Sequence, residues 1–394
     1  MSPVKGVWVP ALIVAILGLA DLPGPPTGFV AGVSPVSAQE VLSPLARGGV
    51  TAGAGATFQV FAFSEEERTG IRSISLLSVP LAGRVALADR LRFEVHSHWA
   101  QGWVERADGS ETTIEGPTDT QLRASIDLIP RMLTVTGFTL LPTGVDAHSA
   151  EELELAGAMA SDLLPFRISH WSAGGGSGAA VTFLRSFGRT GLGADVGFML
   201  PGEFDLGDEV VGGFRPGEEF RASAVLDRLV GPAGKLTLRV DGRFFGDSEL
   251  EGENVFRSGD RIGATGSYSF PVGPGASAMI YGGYRHRTEG VFLMDLEDRP
   301  SQGVALAGGA LRTPGLGGVL TPSVAVRALR RDDGLSQGYG VGLGAGGEWG
   351  TGWTTVLPSL RVHFGSVQVT DEASSGFVGA DLSLQIRFQG GHRR

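Results

Sequence analysis

A two-residue alternation of apolar and polar side chains, repeated along most of the chain, constrains its fold more than any other feature. In FVGADLSLQIRF, Val378, Ala380, Leu382, Leu384, Ile386 and Phe388 fall on one side. Gly379, Asp381, Ser383, Gln385 and Arg387 fall on the other. A helix would scatter both sets around its circumference, whereas a strand separates them onto two faces. TQLRASIDLI sets Leu122, Ala124, Ile126 and Leu128 against Gln121, Arg123, Ser125 and Asp127. KLTLRVDGRFF sets Leu236, Leu238, Val240 and Phe244 against Thr237, Arg239, Asp241 and Arg243. LPSLRVHF sets Pro358, Leu360, Val362 and Phe364 against Ser359, Arg361 and His363.

Beyond Ala20 there is no apolar run long enough for a spanning helix, which needs about 20 residues. Only helices and closed barrels satisfy backbone polar groups in lipid, so a membrane-spanning form of this chain spans by strands. Composition agrees. With 63 Gly and 19% charged residues, the chain is less charged than most soluble globules. It is also too polar for a bundle of membrane helices. A soluble β-sandwich alternates too, but it carries more charge outside and bulkier residues inside.

Connections alternate in length. Short Gly- and Pro-rich joins near 88–90, 130–131, 188–190, 231–234, 273–275, 314–318 and 350–351 separate long polar stretches, the longest being LPTGVDAHSAEELELAGAMASDLLPFRISHWSAGGG. Tight turns on one rim and long loops on the other belong to outer-membrane barrels. The expected fold is therefore all-β: a transmembrane, antiparallel, up-and-down β-barrel of about 16 strands, with 14 as the alternative. An even count puts both ends on the short-turn, periplasmic side. One short helix is expected in the longest extracellular loop. Ser149 can cap it, Glu151 and Glu152 suit its first turn, and Leu155, Met159 and Leu163 form a stripe. It constricts the pore or lids it, or else packs as a cap without a gating role.

The N-terminus reads as an export address. Lys5 precedes the apolar stretch Val7–Ala20, and small residues suited to cleavage occur at Gly18/Ala20 and at Val36/Ala38. Cleavage after Ala38 is preferred, after Ala20 the alternative. The expected layout is a signal peptide over 1–38, a short periplasmic segment over 39–48, the barrel over 49–388 and a periplasmic tail over 389–394. Exposed aromatics near strand ends, Trp99, Trp103, Tyr281, Tyr284, Tyr339, Trp349 and Trp353, are expected to form interfacial girdles.

The last strand resembles the C-terminal assembly signal of Gram-negative outer-membrane proteins, a Gly followed by alternating hydrophobics closing on an aromatic. Gly379, Leu382, Leu384, Ile386 and Phe388 carry that pattern, and QGGHRR follows it. The resemblance implies the barrel-assembly machinery as a partner, and an outer-membrane location with lipid and lipopolysaccharide around the barrel. The stretch GPTDTQLRASIDLIPRMLTVTGFTLLPTG resembles a hairpin of phenol-degradation, hydrocarbon and fatty-acid transport barrels, in its Asp-containing opening and its closing LPTG. That likeness implies passage of apolar or aromatic solutes.

Other chemistry finds less support. The absence of Cys excludes disulfides and thiolate metal sites, and a net charge of −10 argues against nucleic acid. His96 and His98 share a strand face with Glu94, a spacing that can bind a metal but that also serves as polar lumen filling. No metal or cofactor is expected. Ser248, in GDSEL, resembles the block around some lipase nucleophiles, but no base is placed for it, nor for Ser177 in GGGSG. The glycines at 342, 344 and 347 match a dinucleotide motif formally but lie within a strand, where they bend the barrel or leave lumen space. No enzymatic activity is expected. The expected function is a channel or facilitator for small molecules. Arg123, Asp127, Arg239, Asp241, Arg243, Arg361, Asp381 and Arg387 would be its lumen-facing charges, tuning selectivity. The alternatives are a structural or surface-interaction barrel that binds through its loops and, less favoured, a lipid-modifying enzyme. Oligomeric state is open.

Overall fold

The computed structural model describes residues 49–145, 149–168, 170–205, 213–293, 300–331, 336–370 and 373–390. The expected signal peptide, the segment 39–48 and residues 391–394 of the tail lie outside them. In chain order the strands are β1 (Val50–Phe63), β2 (Ile71–Ala86), β3 (Leu91–Arg106), β4 (Glu111–Pro117), β5 (Thr120–Ile129), β6 (Leu133–Leu141), β7 (Gly176–Phe187), β8 (Thr190–Pro201), β9 (Phe204–Asp205), β10 (Gly213–Arg215) and β11 (Glu219–Val230). There follow β12 (Gly234–Phe245), β13 (Asp247–Leu250), β14 (Glu253–Arg257), β15 (Arg261–Gly273), β16 (Ala276–Arg287), β17 (Val291–Phe292), β18 (Gln302–Gly315), β19 (Gly318–Arg331), β20 (Ser336–Thr351), β21 (Thr354–Thr370) and β22 (Ala373–Gly390). Helix α1 (Glu66–Thr69) follows β1, and α2 (Ala150–Met159) lies between β6 and β7.

Seventeen of these strands form one antiparallel sheet, which closes where β22 pairs with β1 from Val50↔Gly390 to Phe63↔Phe377. β4 and β5 are two halves of a single crossing. β4 pairs with the upper part of β3, β5 with its lower part, and the ladder breaks between Pro117 and Thr120. The result is a barrel of 16 crossings. Closure leaves no free sheet edge, which is what lets strands cross lipid. The last strand runs on through Gln389 and Gly390, which pair with Thr51 and Val50.

Alternation sorts the two faces as the pleat requires. Phe58, Phe93, Val196, Phe198, Leu238, Val240, Ile280, Val324, Leu343, Leu360, Leu382 and Leu384 point outward and are exposed. Among the described residues, the outward charges Glu105, Glu111, Glu115, Arg185, Arg228 and Arg330 lie toward the two rims, leaving an uncharged belt between them. Of the aromatics expected in the girdles, Trp99, Trp103, Tyr284, Tyr339 and Trp349 face outward, and Trp353 occupies an exposed turn. Tyr281 does not. Its register with Ser267 and Gly308 places it in the lumen, where Gly308 leaves room for its ring.

At the long-loop rim, β9, β10, β13, β14 and β17 build a separate five-stranded sheet. Phe204 packs edge-on against Phe214, and Phe256 lies tilted against Phe292, in its small core.

Several inward glycines are explained by what faces them. A Cβ added at Gly379 would lie 2.5 Å from the Phe61 ring and 2.8 Å from the Val60 carbonyl oxygen. On β20, the inward positions Gly342 and Gly344 lie against the Arg361 side chain. The glycines that match a dinucleotide motif on paper thus leave space for lumen side chains, and Gly347 faces outward beneath Trp349. Gly379→Ala is expected to cost the folded barrel about 1–3 kcal/mol through overpacking. Urea unfolding in detergent micelles measures it, and an unchanged midpoint would mean that Phe61 relaxes freely.

Candidate functional site

The described residues of the segment between β6 and β7, 142–145, 149–168 and 170–175, turn into the lumen. Its entry is built at the break in the fourth crossing. There the Asp119 amide donates to the Trp171 carbonyl oxygen at 2.9 Å, and Val145 N donates to Pro117 O at 3.1 Å. The Asp119 carboxylate accepts from Gly144 N at 3.0 Å through Oδ1 and from Ala173 N at 2.9 Å through Oδ2. One carboxylate thus ties both ends of the loop to the wall. Thr143 adds a bond from its hydroxyl to Thr118 O at 3.2 Å and accepts from Thr120 N at 3.0 Å.

Helix α2 starts as its sequence indicates. Ser149 accepts from Glu152 N, and the Glu152 carboxylate accepts from Ser149 N, completing a capping box. Leu155, Met159 and Leu163 are all buried. They pack, with Leu164, Ile168 and Trp171, on apolar residues of the lumen face: Phe61, Ile74, Leu76, Ala100, Val104, Ile114, Leu329 and Phe377. Gly102 provides the seat for Trp171, whose ring and the Met159 sulfur lie where a Cβ would be. The indole N–H donates to Ala100 O at 3.0 Å.

Polar contacts pin the rest. Gln59 donates to Pro165 O at 2.8 Å and accepts from Arg167 N at 2.9 Å, so its amide continues the loop's backbone bonding. Arg167 reaches Asp381 at 3.8 Å. On the far side, Asp162 accepts from Gln302 Nε2 at 2.9 Å and pairs with Arg285 at 3.6 Å, while Arg327 donates to Asp162 O at 3.0 Å. Burial pushes the His170 imidazole down to about 4. Asp119 pulls it upward and His98 pushes it further down.

The wall from β8 to β16 is different. Many of its inward side chains are polar, and some keep contact with water, with Arg239 at 36%, Asp227 at 27% and Arg285 at 28% side-chain exposure. No family model and no curated protein matches the chain. Solved structures do. The high-pH structure of OprB from Pseudomonas putida is 12% identical, covers 87% of this chain and 94% of that one, and has a TM-score of 0.50. The fold is that of an outer-membrane barrel. OmpT, an outer membrane protein of Vibrio cholerae, is 9% identical over 87% of this chain and 98% of that chain, with a TM-score of 0.42. A Rhodopseudomonas blastica porin is 14% identical over 86% and 100% of the two chains, with a TM-score of 0.37.

Within this barrel the eight charges singled out from sequence lie on inward positions, but not in one place. Arg123 faces Glu94, which Arg84 also contacts at 3.0 Å, and Asp127 pairs with Arg92 at 2.6 Å. These form a mixed network near the short-turn rim. Arg239 and Asp241 lie 3.6 Å apart on β12, and Arg243 is 3.7 Å from Glu219. Arg361 stands across the ladder from Asp381, and Arg387 across from Thr355. Of the assembly-signal residues, Leu382, Leu384, Ile386 and Phe388 face outward and Gly379 inward.

Sequence reading passed over Gln59, Asp119 and Asp162, and with them Arg221, Arg261, Arg285 and Arg287. Alternation alone marks Arg221 and Arg285 as inward. Glu94, His96 and His98 do share the lumen face, and His96 is 3.9 Å from Glu94. The two serines considered as nucleophiles are engaged otherwise. Ser248 is buried and accepts from Gly217 N at 3.1 Å, and Ser177 sits on the outward face of β7.

Proposed function

We propose that this barrel is an outer-membrane channel of a Gram-negative bacterium, passing small solutes along the lumen between the inserted loop and the β8–β16 wall. One observation carries the reading: the loop packs against the opposite wall, while charged side chains inside the barrel remain in contact with water. A lumen filled on all sides would bury them. The uncharged outer belt supports a location in lipid, with lipopolysaccharide at the long-loop rim and assembly through the last strand.

The apolar surface within the lumen is largely covered by α2 and the segment after it. Water-soluble solutes therefore fit the remaining lining better than the apolar or aromatic ones suggested by the hairpin's likeness. Recordings from refolded protein in planar bilayers are expected to show discrete conductance steps. A silent bilayer at every voltage, with protein shown to be folded by its heat-modifiable gel mobility, refutes the channel.

A further inference from the structure

Among the described strand residues, the charges that face outward at the short-turn rim are both arginines. Arg185 lies on β7 and Arg228 on β11, and both are exposed. Strand β8 runs between them, with Arg185 across from Leu192 and Arg228 across from Thr190. Strand spacing and rise put their Cα atoms roughly 12 Å apart. Two extended arginine side chains can close that gap around one phosphate group.

The turn between β7 and β8 adds a third guanidinium. Arg189 donates through Nη2 to the Gly231 carbonyl oxygen, and its own carbonyl accepts from Leu229 N at 2.9 Å. These bonds fix it against the turn that follows β11. Arg185 lies over the Phe187 ring, 5.0 Å from the centroid, which holds its head at the rim. The two turns and the outward positions of β7, β8 and β11 contain no Asp or Glu. Asp195 and Asp227, on the same strands, point into the lumen. Asp195 accepts there from the Ser223 hydroxyl, and Asp227 meets Thr237 at 2.6 Å and Lys235 at 3.2 Å. The ends of the described chain, Val50 and Gly390, lie on β1 and β22, which adjoin none of these three strands.

Between the arginines and the opposite rim this wall is apolar outside, with Phe183, Leu192, Val196 and Phe198 exposed. Arginine stems lie along such a surface while their heads reach headgroup level. A guanidinium fork matches the oxygens of a phosphate, and basic clusters at a membrane edge attract anionic lipid.

We infer that Arg185, Arg189 and Arg228 form a binding site for an anionic phospholipid of the periplasmic leaflet. Its headgroup phosphate lies among the three guanidiniums, and its acyl chains lie along β7 and β8. The inference rests on the outer-membrane location, where short turns face the periplasm, and not on the channel reading.

The test is native mass spectrometry of the full-length barrel in detergent micelles with equal amounts of dioleoyl phosphatidylglycerol and dioleoyl phosphatidylcholine, which differ in headgroup charge alone among their ionic features. The wild type is expected to retain phosphatidylglycerol preferentially. Arg185→Gln combined with Arg228→Gln should lower that preference roughly 25-fold, about fivefold for each guanidinium lost. Arg228→Gln alone should give the single fivefold step. Arg330→Gln, outward at the opposite rim, should leave the preference unchanged. Heat-modifiable mobility shows that each variant is folded. Equal retention of both lipids by the wild type, a preference that survives the Gln pair, or an equal loss from Arg330→Gln overturns the site. Each leaves the channel standing, since bilayer conductance tests that reading separately.

Discussion

Excising residues 145–172 and bridging Gly144 to Ala173 with a short Gly-Ser linker is expected to raise the single-channel conductance several-fold while leaving a folded barrel. The loop occupies the lumen against β1 to β4 and β18 to β22, so its removal empties that part of the lumen. The wall itself does not depend on the loop for its hydrogen bonds. β6 and β7 pair from Leu133↔Phe183 to Leu140↔Gly176 without it. Stability must fall, because Phe61, Ile74, Leu76, Val104, Ile114, Leu329 and Phe377 would face water. Each such side chain loses about 1.5–3 kcal/mol of burial. The measurements are single-channel conductance and the unfolding midpoint. Unchanged conductance with a lowered midpoint would make the loop a packing element that never limits passage.

The contrast between wall and loop also separates what the sequence discloses from what it does not. Alternation is a local property, so it assigns Arg239, Asp241 and Arg243 to one face without reference to any other strand. Closure follows from the same signal, given that every strand must pair. Whether Arg185 stands near Arg228 is another matter. That depends on register between strands, set by the shear of the closed sheet and the length of every connection. A patch assembled from β7, β8 and β11 has no footprint in any one segment. Tyr281 shows the same limit at the scale of one residue, since its place near a strand end suggests a girdle until its neighbours' register turns it inward.

The loop was legible in part. Ser149 and Glu152 announce the start of α2, and Leu155 and Met159 announce a buried stripe. Which surface buries that stripe was not legible, because the receiving residues belong to six strands, β1 to β4, β19 and β22. A hint was present in places such as Phe61, Ile74, Leu76 and Phe377. Those are large apolar residues at inward positions, where a purely water-filled barrel would have none. The hairpin likeness in the first half of the chain takes on a physical meaning here. Its Asp-containing opening and its closing LPTG are the two sides of the loop's neck, joined by Asp119 and Gly144.

Asp119 is therefore where a single substitution should release the loop. Its two oxygens each accept one amide, from Gly144 and from Ala173, and bonds to an ionised acceptor are stronger than neutral ones. Asp119→Ala strands both amides and is expected to weaken docking by about 3 kcal/mol. Asp119→Asn should rescue little, because one of its two terminal atoms is itself a donor and would face an N–H. Acid should act in the same direction through His170. Its imidazole titrates near 6.5 when the loop is free and near 4 when it is docked. Above about 6.5 both states are neutral and docking is unaffected. Between those values the free loop takes up a proton that the docked loop does not, so docking weakens as pH falls, and below about 4 the penalty stops growing. Because Asp119→Ala has already weakened docking, the same proton uptake by His170 releases the loop at higher pH in the variant than in the wild type. Trp171, buried in the docked loop, reports the event as a red shift of its emission, and bilayer current reports it as a rise in open-channel conductance. A variant with unaltered Trp171 exposure and wild-type conductance across pH 4–8 would show that the apolar contacts of α2 hold the loop without its neck.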